Sequence, residues 1–430
     1  MTRQTEHPSK EIMPNIEEKL TGQTTLGDWL EHPQGGPLIR AALFRQGQEE
    51  SKLGPARVFP LEQLVVLSQG KFSQSALEDL VRSANGGQLI IAEDKASRAY
   101  TPAAPEPVQS GLALDQIQIR DPFILNDHGA SLYYLYGSTD QNIWHGRGTG
   151  FNTYRSSDLI HWEGPFEAFR PPSDFWSDGM YWAPEVHKYR ERWFMFATFT
   201  APDGYRGTQV LVGDQPRGPF MPWSDGAVTP RKWQCLDGTL FIDHQDDPWI
   251  VFCHEWTQIH DGAVYAQRLS EDLRHALGTP VFLFSGSDAP WSKPLRGGRF
   301  DNYKFPIHVT DGPFLFRLSS GHLIMLWSSF GTDGYAMGVA HSESGDITGP
   351  WTHEDKALWP VDGGHGMIVR LNDDALALTL HQPNSTPDER AVIQALVEHH
   401  STVTIRQAQS HDCETRTDNE YRRDVSYEIK

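Results

Sequence analysis

Five segments of this chain resemble one another and recur every 54–74 residues. They read RDPFIL from Arg120, WAPEVHKY from Trp182, LDGTLFID from Leu236, TDGPFLFR from Thr310 and GHGMIVRL from Gly364. Each segment is followed by a short polar turn and a second apolar run, such as LYYLYGS from Leu132. Because repeats of strand, turn and strand at this period are typical of propeller blades, the sequence predicts an all-β fold, a five-bladed β-propeller.

An alignment of the five segments places one residue of each in a shared column. The column contains Asp121, Ala183, Asp237, Asp311 and His365. The innermost strands of a propeller point one end at the central axis, so we expect these residues to form a ring at the mouth of the channel. Carboxylates gathered in one place are costly unless they share a proton, a cation or a substrate, so the ring is a candidate active site.

The propeller accounts for only part of the 430 residues. We predict a disordered segment over 1–24, a small, mostly helical domain with its linker over 25–113, the propeller over 114–404 and a polar tail over 405–430. In the helical domain, apolar residues at helical spacing predict three or four short helices, with Thr25 and Ser73 as N-caps. The run GGQLIIAED from Gly86 predicts a strand.

Charge and composition restrict the partners and the location. The formal net charge of -19 disfavours nucleic acid and anionic membranes as partners, because both require a basic surface. The first twenty residues contain no apolar core of a secretory signal, and no later run is long enough to cross a membrane, so we expect a cytoplasmic protein. Cys235, Cys253 and Cys413 form no CxxC pair, which disfavours a disulfide framework and a zinc site.

The motifs DPFI, WAP, LDG, DGPFL and GHG, in this order, resemble those of glycoside hydrolase family 43 over roughly residues 116–384. The resemblance implies an inverting glycosidase with Asp121 as the general base and Asp237 as the residue that positions the acid and raises its pKa. We expect it to remove a terminal α-L-arabinofuranosyl unit from an oligosaccharide. β-D-xylosidase and β-D-galactofuranosidase activities are the alternatives within the family, because the same acid and base serve any of these sugars.

The identity of the general acid stays open in the sequence. The family normally has a glutamate where this chain has Asp311, and the missing methylene withdraws the carboxyl by about 1.5 Å, enough to reduce the rate unless something compensates. Glu185, two residues after the ring column, and Glu255, at the inner end of a second strand, are the alternative acids. If none of these serves, the chain is a sugar-binding propeller without catalysis. A scaffold for protein partners is the weakest alternative, because it does not explain why three carboxylates gather on the axis.

Three further residues are candidates for substrate binding, and one for metal binding. Trp182, Trp256 and Arg299 are expected to contact the sugar, because sugars bind to flat apolar faces beside hydrogen-bond donors. For His365, the resemblance implies a place in the central channel, where some family members hold a calcium ion through this imidazole and waters. Such an ion would be structural or would bias the pKa values of the neighbouring carboxylates, and catalysis is expected to require no cofactor.

Overall fold

The computed structural model describes residues 19–32, 35–45, 56–57, 59–67, 72, 74–85, 106–140, 143–144, 147–296, 300 and 305–406. Five of the sequence predictions fall wholly or mostly outside these residues: the segment over 1–24, the cap at Ser73, the strand from Gly86, the linker that follows it, and the tail over 405–430. Arg299 also lies outside the described residues.

The N-terminal part is helical, as predicted. Its helices are α1 (Leu26–Glu31), α2 (Gly35–Arg45), α3 (Leu61–Leu67) and α4 (Gln74–Ala84). Thr25 caps α1, because its Oγ1 accepts a hydrogen bond from the backbone N–H of Asp28 at 3.2 Å. Trp29 is fully buried in the apolar core of these helices. Leu20, which lies within the predicted segment over 1–24, is buried in the same core.

The described residues from Gln109 onward form five antiparallel sheets, which confirms the predicted propeller. Blade 1 contains β1 (Gln109–Leu112), β2 (Arg120–Asp127), β3 (Leu132–Ser138), β4 (Phe151–Ser156) and β5 (Trp162–Phe169). Blade 2 contains β6 (Gly179–Tyr189), β7 (Arg192–Thr200), β8 (Arg206–Gly213) and β9 (Met221–Ala227). Blade 3 contains β10 (Cys235–Ile242), β11 (Pro248–His254), β12 (Ala263–Leu269) and β13 (Ala276–Ser285), with the short helix α5 (Trp256–Ile259) after β11. Blade 4 contains β14 (Asp311–Arg317), β15 (Leu323–Gly331), β16 (Gly334–Ser342) and β17 (Trp351–His353). Blade 5 contains β18 (Gly364–Arg370), β19 (Leu376–Gln382), β20 (Arg390–Glu398) and β21 (Val403–Ile405).

Each blade is a meander in which strands pair in chain order, and β1 adds a fifth strand outside β5. The sheet structure therefore begins at Gln109, before the predicted start at residue 114. The first and last blades meet where the N–H of Ile119 donates to the carbonyl of Glu389 at 3.3 Å, and where Gln118 forms a β-bridge with Arg390. These contacts close the ring of blades without a shared strand.

The blades pack face to face, so the middle strands are buried on both sides. In β8 all eight residues are buried, including the polar residues Arg206, Thr208 and Gln209. Between blades 4 and 5, Ile324 and Leu326 pack against Leu378 and Leu380. Each such side chain contributes about 1.5–3 kcal/mol through burial, so this packing holds the innermost strands in place. Among the described helices, none has the length and apolar character of a membrane span.

Candidate active site

The innermost strand of every blade contains a β-bulge next to the central axis. At each bulge one residue has positive φ: Asp121 (54°), Ala183 (46°), Asp237 (56°), Gly312 (52°) and His365 (49°). In each strand the regular pairing is interrupted at this point. A bulge redirects the chain locally, so these five residues form a ring at the axis, and four of them are the residues that the repeat predicted.

In blade 4 the ring residue differs by one position from the residue that the sequence alignment predicted. We expected Asp311 in the ring column, but its pairing with Ser328 makes it the equivalent of Arg120, which pairs with Ser138 in blade 1. Gly312 holds the ring position instead. The reason is steric: a Cβ on Gly312 would lie 2.6 Å from Cδ2 of His365, so only glycine leaves room for the imidazole.

Side chains from the second strands fix the bulges by accepting hydrogen bonds across the blade boundaries. The hydroxyls of Ser138, Thr198 and Ser328 each accept the backbone N–H of the ring residue in the next blade, all at 2.8 Å. Blade 5 has His381 at this place, and its Nδ1 accepts the N–H of Asp121 at 3.2 Å. Blade 3 has Cys253 there, and the N–H of Gly312 instead donates to Oδ2 of Asp237 at 2.9 Å. The buried N–H groups of the ring are thereby satisfied.

Asp121 is buried and surrounded by groups that favour its ionised form. Its Oδ2 accepts a hydrogen bond from the Ser138 hydroxyl at 2.6 Å, and its Oδ1 lies 3.1 Å from Nδ1 of His365 and 3.5 Å from Nε of Arg120. Burial alone would raise the pKa of Asp121, but the charges of His365 and Arg120 outweigh it and hold the pKa well below its usual range. Asp121 is therefore a carboxylate that can accept a proton.

His365 stands between two aspartates of the ring. Its Nδ1 lies 3.1 Å from Oδ1 of Asp121 and 3.7 Å from Oδ2 of Asp237. Burial would lower the pKa of His365, but these carboxylates raise it to about 10. The imidazole is thus a cation at neutral pH, and it offsets part of the negative charge that the ring gathers.

Asp237 and Asp311 differ from Asp121 in protonation. Burial and the charges of Asp311 and Asp121 raise the pKa of Asp237 to about 7, against the charge of His365. Burial also raises the pKa of Asp311 to about 6, against His365 and a hydrogen bond that Tyr335 donates to its Oδ2 at 2.9 Å. One proton shared by this pair near neutral pH gives the site a carboxylic acid beside the ionised Asp121.

These groups open into a cavity of about 1090 Å³. Its lining includes Asp121, Asp237, Asp311, Glu255 and His365 from the predicted set, together with Trp182 and Trp256. Trp182 donates from Nε1 to the carbonyl of Ile143 at 2.6 Å and packs edge-on against Trp144, with ring centroids 5.4 Å apart. These two indoles form an aromatic wall beside the carboxylates, of the kind that binds sugar faces.

Glu185, the first alternative acid, is absent from the cavity lining. Its Oε2 accepts a hydrogen bond from the hydroxyl of Thr239 at 2.5 Å and lies 3.1 Å from Nε2 of His187. Glu185 follows the bulge in β6, and its two partners, Thr239 and His187, lie outside the cavity lining as well. The geometry does not favour it as a proton donor to a substrate in this cavity.

Glu255, the second alternative acid, does line the cavity, but it is engaged in a buried ion pair. Its Oε2 contacts Nη1 of Arg206. The guanidinium of Arg206 also lies over the Trp182 ring, 4.3 Å from its centroid. The ion pair with Arg206 engages the carboxylate of Glu255, which suits a role in holding Trp182 better than a role as acid.

Calcium binding at His365 stays a prediction. Nδ1 of the imidazole faces two carboxylates, and across the described ranges no group of three or more His, Cys, Asp or Glu residues has an arrangement that could hold a metal ion. In this arrangement the imidazolium itself supplies positive charge to the ring.

Sequence reasoning missed several residues of the site, namely Arg120, Ser138, Asn384, Tyr335 and His381. One signal was available, because a hydroxyl or imidazole recurs at the ends of LYYLYGS, HLIMLWSS and ALALTLH, the second strands of their blades. Aligning these strands as well as the first ones indicates Ser138, Ser328 and His381. Tyr335 lies in the third strand of its blade and has no counterpart in the repeats.

Gly312→Ala tests the steric account of the ring. The new Cβ would meet the His365 ring and also adopt positive φ, so we expect a loss of stability of about 2–5 kcal/mol and a large loss of activity. Gly278→Ala is the matched control, because Gly278 has φ of 70° but nothing within 4 Å of a Cβ. It is expected to lose about 1–2 kcal/mol and to keep its activity. Equal urea midpoints and activities for the two variants would contradict the account.

Comparisons with known proteins identify the family of this chain. Among solved structures, the chain is 41% identical to an endo-arabinase from Bacteroides thetaiotaomicron VPI-5482, with a TM-score of 0.62 over 68% of this chain and 99% of that one. A thermostable family-43 glycoside hydrolase (22% identical, TM-score 0.56, 74% of this chain and 100% of that one) and an α-L-arabinofuranosidase from Lactobacillus brevis (19%, 0.53, 67% and 93%) share the fold. A search of curated protein sequences finds no match. A comparison with protein-family models matches residues 115–401 to Glycosyl hydrolases family 43. The chain, which carries the propeller and the ring of acids described above, therefore belongs to glycosyl hydrolases family 43.

Proposed function

We propose that this glycoside hydrolase cleaves α-L-arabinofuranosyl linkages with inversion, with Asp121 as the general base and Asp311 as the general acid. The observation that carries the proposal is that one cavity contains an ionised carboxylate and a carboxyl with a raised pKa. Inverting hydrolysis requires this combination, because one group takes a proton from water while the other gives a proton to the leaving oxygen.

Asp311 is favoured over Asp237 as the proton donor by its contacts. The carboxyl of Asp237 is held by two donors, the backbone N–H of Gly312 and the imidazolium of His365 at 3.7 Å, whereas that of Asp311 accepts the hydrogen bond from Tyr335 through one oxygen. For Asp311, the hydrogen bond from Tyr335 engages Oδ2, so Oδ1 is the oxygen that can carry a proton toward the cavity. Asp237 then acts on the acid through its charge, which raises the pKa of Asp311 when both lie in the same buried site.

The choice of sugar rests on the relative from B. thetaiotaomicron, which is an endo-arabinase. At 41% identity and near-complete coverage of that chain, a related glycone is the simplest expectation. The cavity volume favours a second candidate for the mode of action. A cavity of about 1090 Å³ is at the upper end for a single small ligand, so internal cleavage of an arabinan chain competes with the removal of one terminal unit.

The test is a panel of substrates. We expect the protein to hydrolyse nitrophenyl α-L-arabinofuranoside or linear α-1,5-arabino-oligosaccharides, and not the β-D-xylopyranoside or the β-D-galactofuranoside. Release of single arabinose units from the oligosaccharides would assign the terminal mode, and release of shorter oligosaccharides the internal mode. Activity on the xyloside or galactofuranoside alone would overturn the proposed glycone. Binding without hydrolysis of any member would contradict the enzyme proposal.

The pH dependence follows from the directions of the pKa shifts. Asp121 stays ionised far below neutral pH. The acid limb of the pH profile of kcat/KM, where Asp121 gains a proton, therefore lies below the ordinary pKa range of aspartate. The raised pKa of the acidic pair means that the proton is present below about pH 6–7 and is lost above it. We therefore expect kcat/KM to fall as the pH rises through 6–7, while thermal unfolding shows the protein still folded. A rate that stays level up to pH 9 would contradict this assignment.

A further inference from the structure

Tyr335 is a fully buried residue of β16 whose hydroxyl reaches the candidate acid. It donates a hydrogen bond to Oδ2 of Asp311 at 2.9 Å. The side chain of Asp311 is short, and Asp311 lies one residue before the bulge in β14. Because a carboxyl can rotate about its bond to Cβ, an engaged Oδ2 determines where Oδ1 points.

The Tyr335 ring is held on several sides, so its hydroxyl has little freedom to move. His381 stacks on the ring with centroids 5.6 Å apart and an angle of 20°, and Phe330 packs edge-on at 5.5 Å. Gly364 is required beside it, since a Cβ there would lie 2.7 Å from the Tyr335 ring. The backbone carbonyl of Tyr335 also accepts the N–H of Gly363 at 2.9 Å.

The same packing connects the acid to the base. His381, which stacks on Tyr335, accepts the N–H of Asp121 through Nδ1 and lies 3.3 Å from Oδ1 of Asn384 through Nε2. Burial lowers the pKa of His381 to about 3, so the ring is neutral and Nδ1 is free to accept that hydrogen bond. One rigid pair of rings therefore contacts both the backbone of the base and the carboxyl of the acid.

From these contacts we propose that Tyr335 is a positioning residue, which fixes Oδ2 of Asp311 so that Oδ1 presents its proton to the leaving oxygen at a set distance from Asp121. This inference rests on the proposed roles of the two aspartates. It adds a residue outside the ring of carboxylates, on which the transfer of the proton depends. Asp311 faces the charged groups of His365, Arg120 and Asp121 and the carboxyl of Asp237, and Tyr335 is its neutral hydrogen-bond donor.

The test compares leaving groups in Tyr335→Phe, which keeps the ring and removes the hydroxyl. A sugar leaving group requires the acid, whereas nitrophenolate leaves with little help. We expect kcat on arabino-oligosaccharides to fall about 10- to 100-fold and kcat on the nitrophenyl arabinofuranoside to fall less than about threefold. Tyr181→Phe is the matched control. Tyr181 is also buried and donates to the carbonyl of Ser177 at 2.9 Å, but it lies away from the cavity lining.

The pH profile of kcat/KM separates the two possible roles of Tyr335. Removing its hydroxyl shifts the alkaline limb if Tyr335 acts on Asp311, and leaves the limb in place if its role is purely structural. The hydroxyl of Tyr335 stabilises the ionised form of Asp311, so its removal should shift the alkaline limb of kcat/KM to higher pH. Replacement of Tyr335 by 3-fluorotyrosine, a stronger donor that retains the fold, should shift the limb to lower pH. This second variant tests the inference even if Tyr335→Phe does not fold.

Equal losses on both substrates with an unmoved alkaline limb would overturn the inference and leave the proposed function intact. Absence of activity in the unmodified protein on every arabinofuranoside would instead overturn the proposed function. The two failures are therefore distinguishable in one set of measurements.

Discussion

Asp121→Asn is expected to lower kcat about 10²- to 10⁴-fold on arabino-oligosaccharides and on the nitrophenyl arabinofuranoside alike. Asparagine has nearly the shape of aspartate and can still accept the hydrogen bond from Ser138, but it cannot take a proton from water. Since attack by water is needed whichever group leaves, the loss should not depend on the leaving group. Rates on both substrates, measured at the pH optimum, give this comparison.

The matched control is Asp127→Asn. Asp127 lies at the far end of the same strand, β2, and outside the cavity lining. It is expected to keep the activity of the unmodified protein. An Asp121→Asn variant that is folded and as active as the control would remove Asp121 as the base.

Asp311→Asn is expected to separate the two substrates. Hydrolysis of arabino-oligosaccharides should fall about 10²- to 10⁴-fold, because the departing sugar oxygen receives no proton. Hydrolysis of the nitrophenyl substrate should fall much less. The alkaline limb of the remaining activity should also disappear or move, since the group that titrates there has been removed.

Three matched variants decide between the candidates for the acid. Glu255→Gln and Glu185→Gln should show no dependence on the leaving group, because Glu255 is paired with Arg206 and Glu185 lies outside the cavity lining. Asp237→Asn should reduce both activities. If the dependence on the leaving group appears in Asp237→Asn or Glu255→Gln instead, that residue is the acid and the role of Asp311 is wrong.

The fold was predictable because its signal is local and repeated. Alternating apolar residues, polar turns and a period of 54–74 residues indicate strands and blades without knowledge of any long-range contact. The strand β1 was missed, because QSGL is short and mostly exposed and pairs only along the edge of blade 1. Leu20 was assigned to a disordered segment because its burial depends on helices that follow it in the chain.

The site was predictable only in part, for physical reasons. Asp121, Asp237 and His365 carry the ring position in sequence, but TDGPFL offers two placements, and the choice of Gly312 depends on the space that His365 requires from the next blade. The difference between Glu185 and Glu255 likewise depends on which side chains face the cavity. Tyr335 and His381 act through packing across blades 4 and 5, which no local pattern encodes.

Proton NMR of the first sugar released from an α-1,5-arabino-oligosaccharide tests the central claim most directly. The anomeric configuration is read before mutarotation, with the protein at its pH optimum. The account predicts β-L-arabinofuranose at the new reducing end, because Asp121 directs water to the face opposite the leaving oxygen. Release of the α-anomer would require a covalent intermediate and would contradict the roles assigned to Asp121 and Asp311.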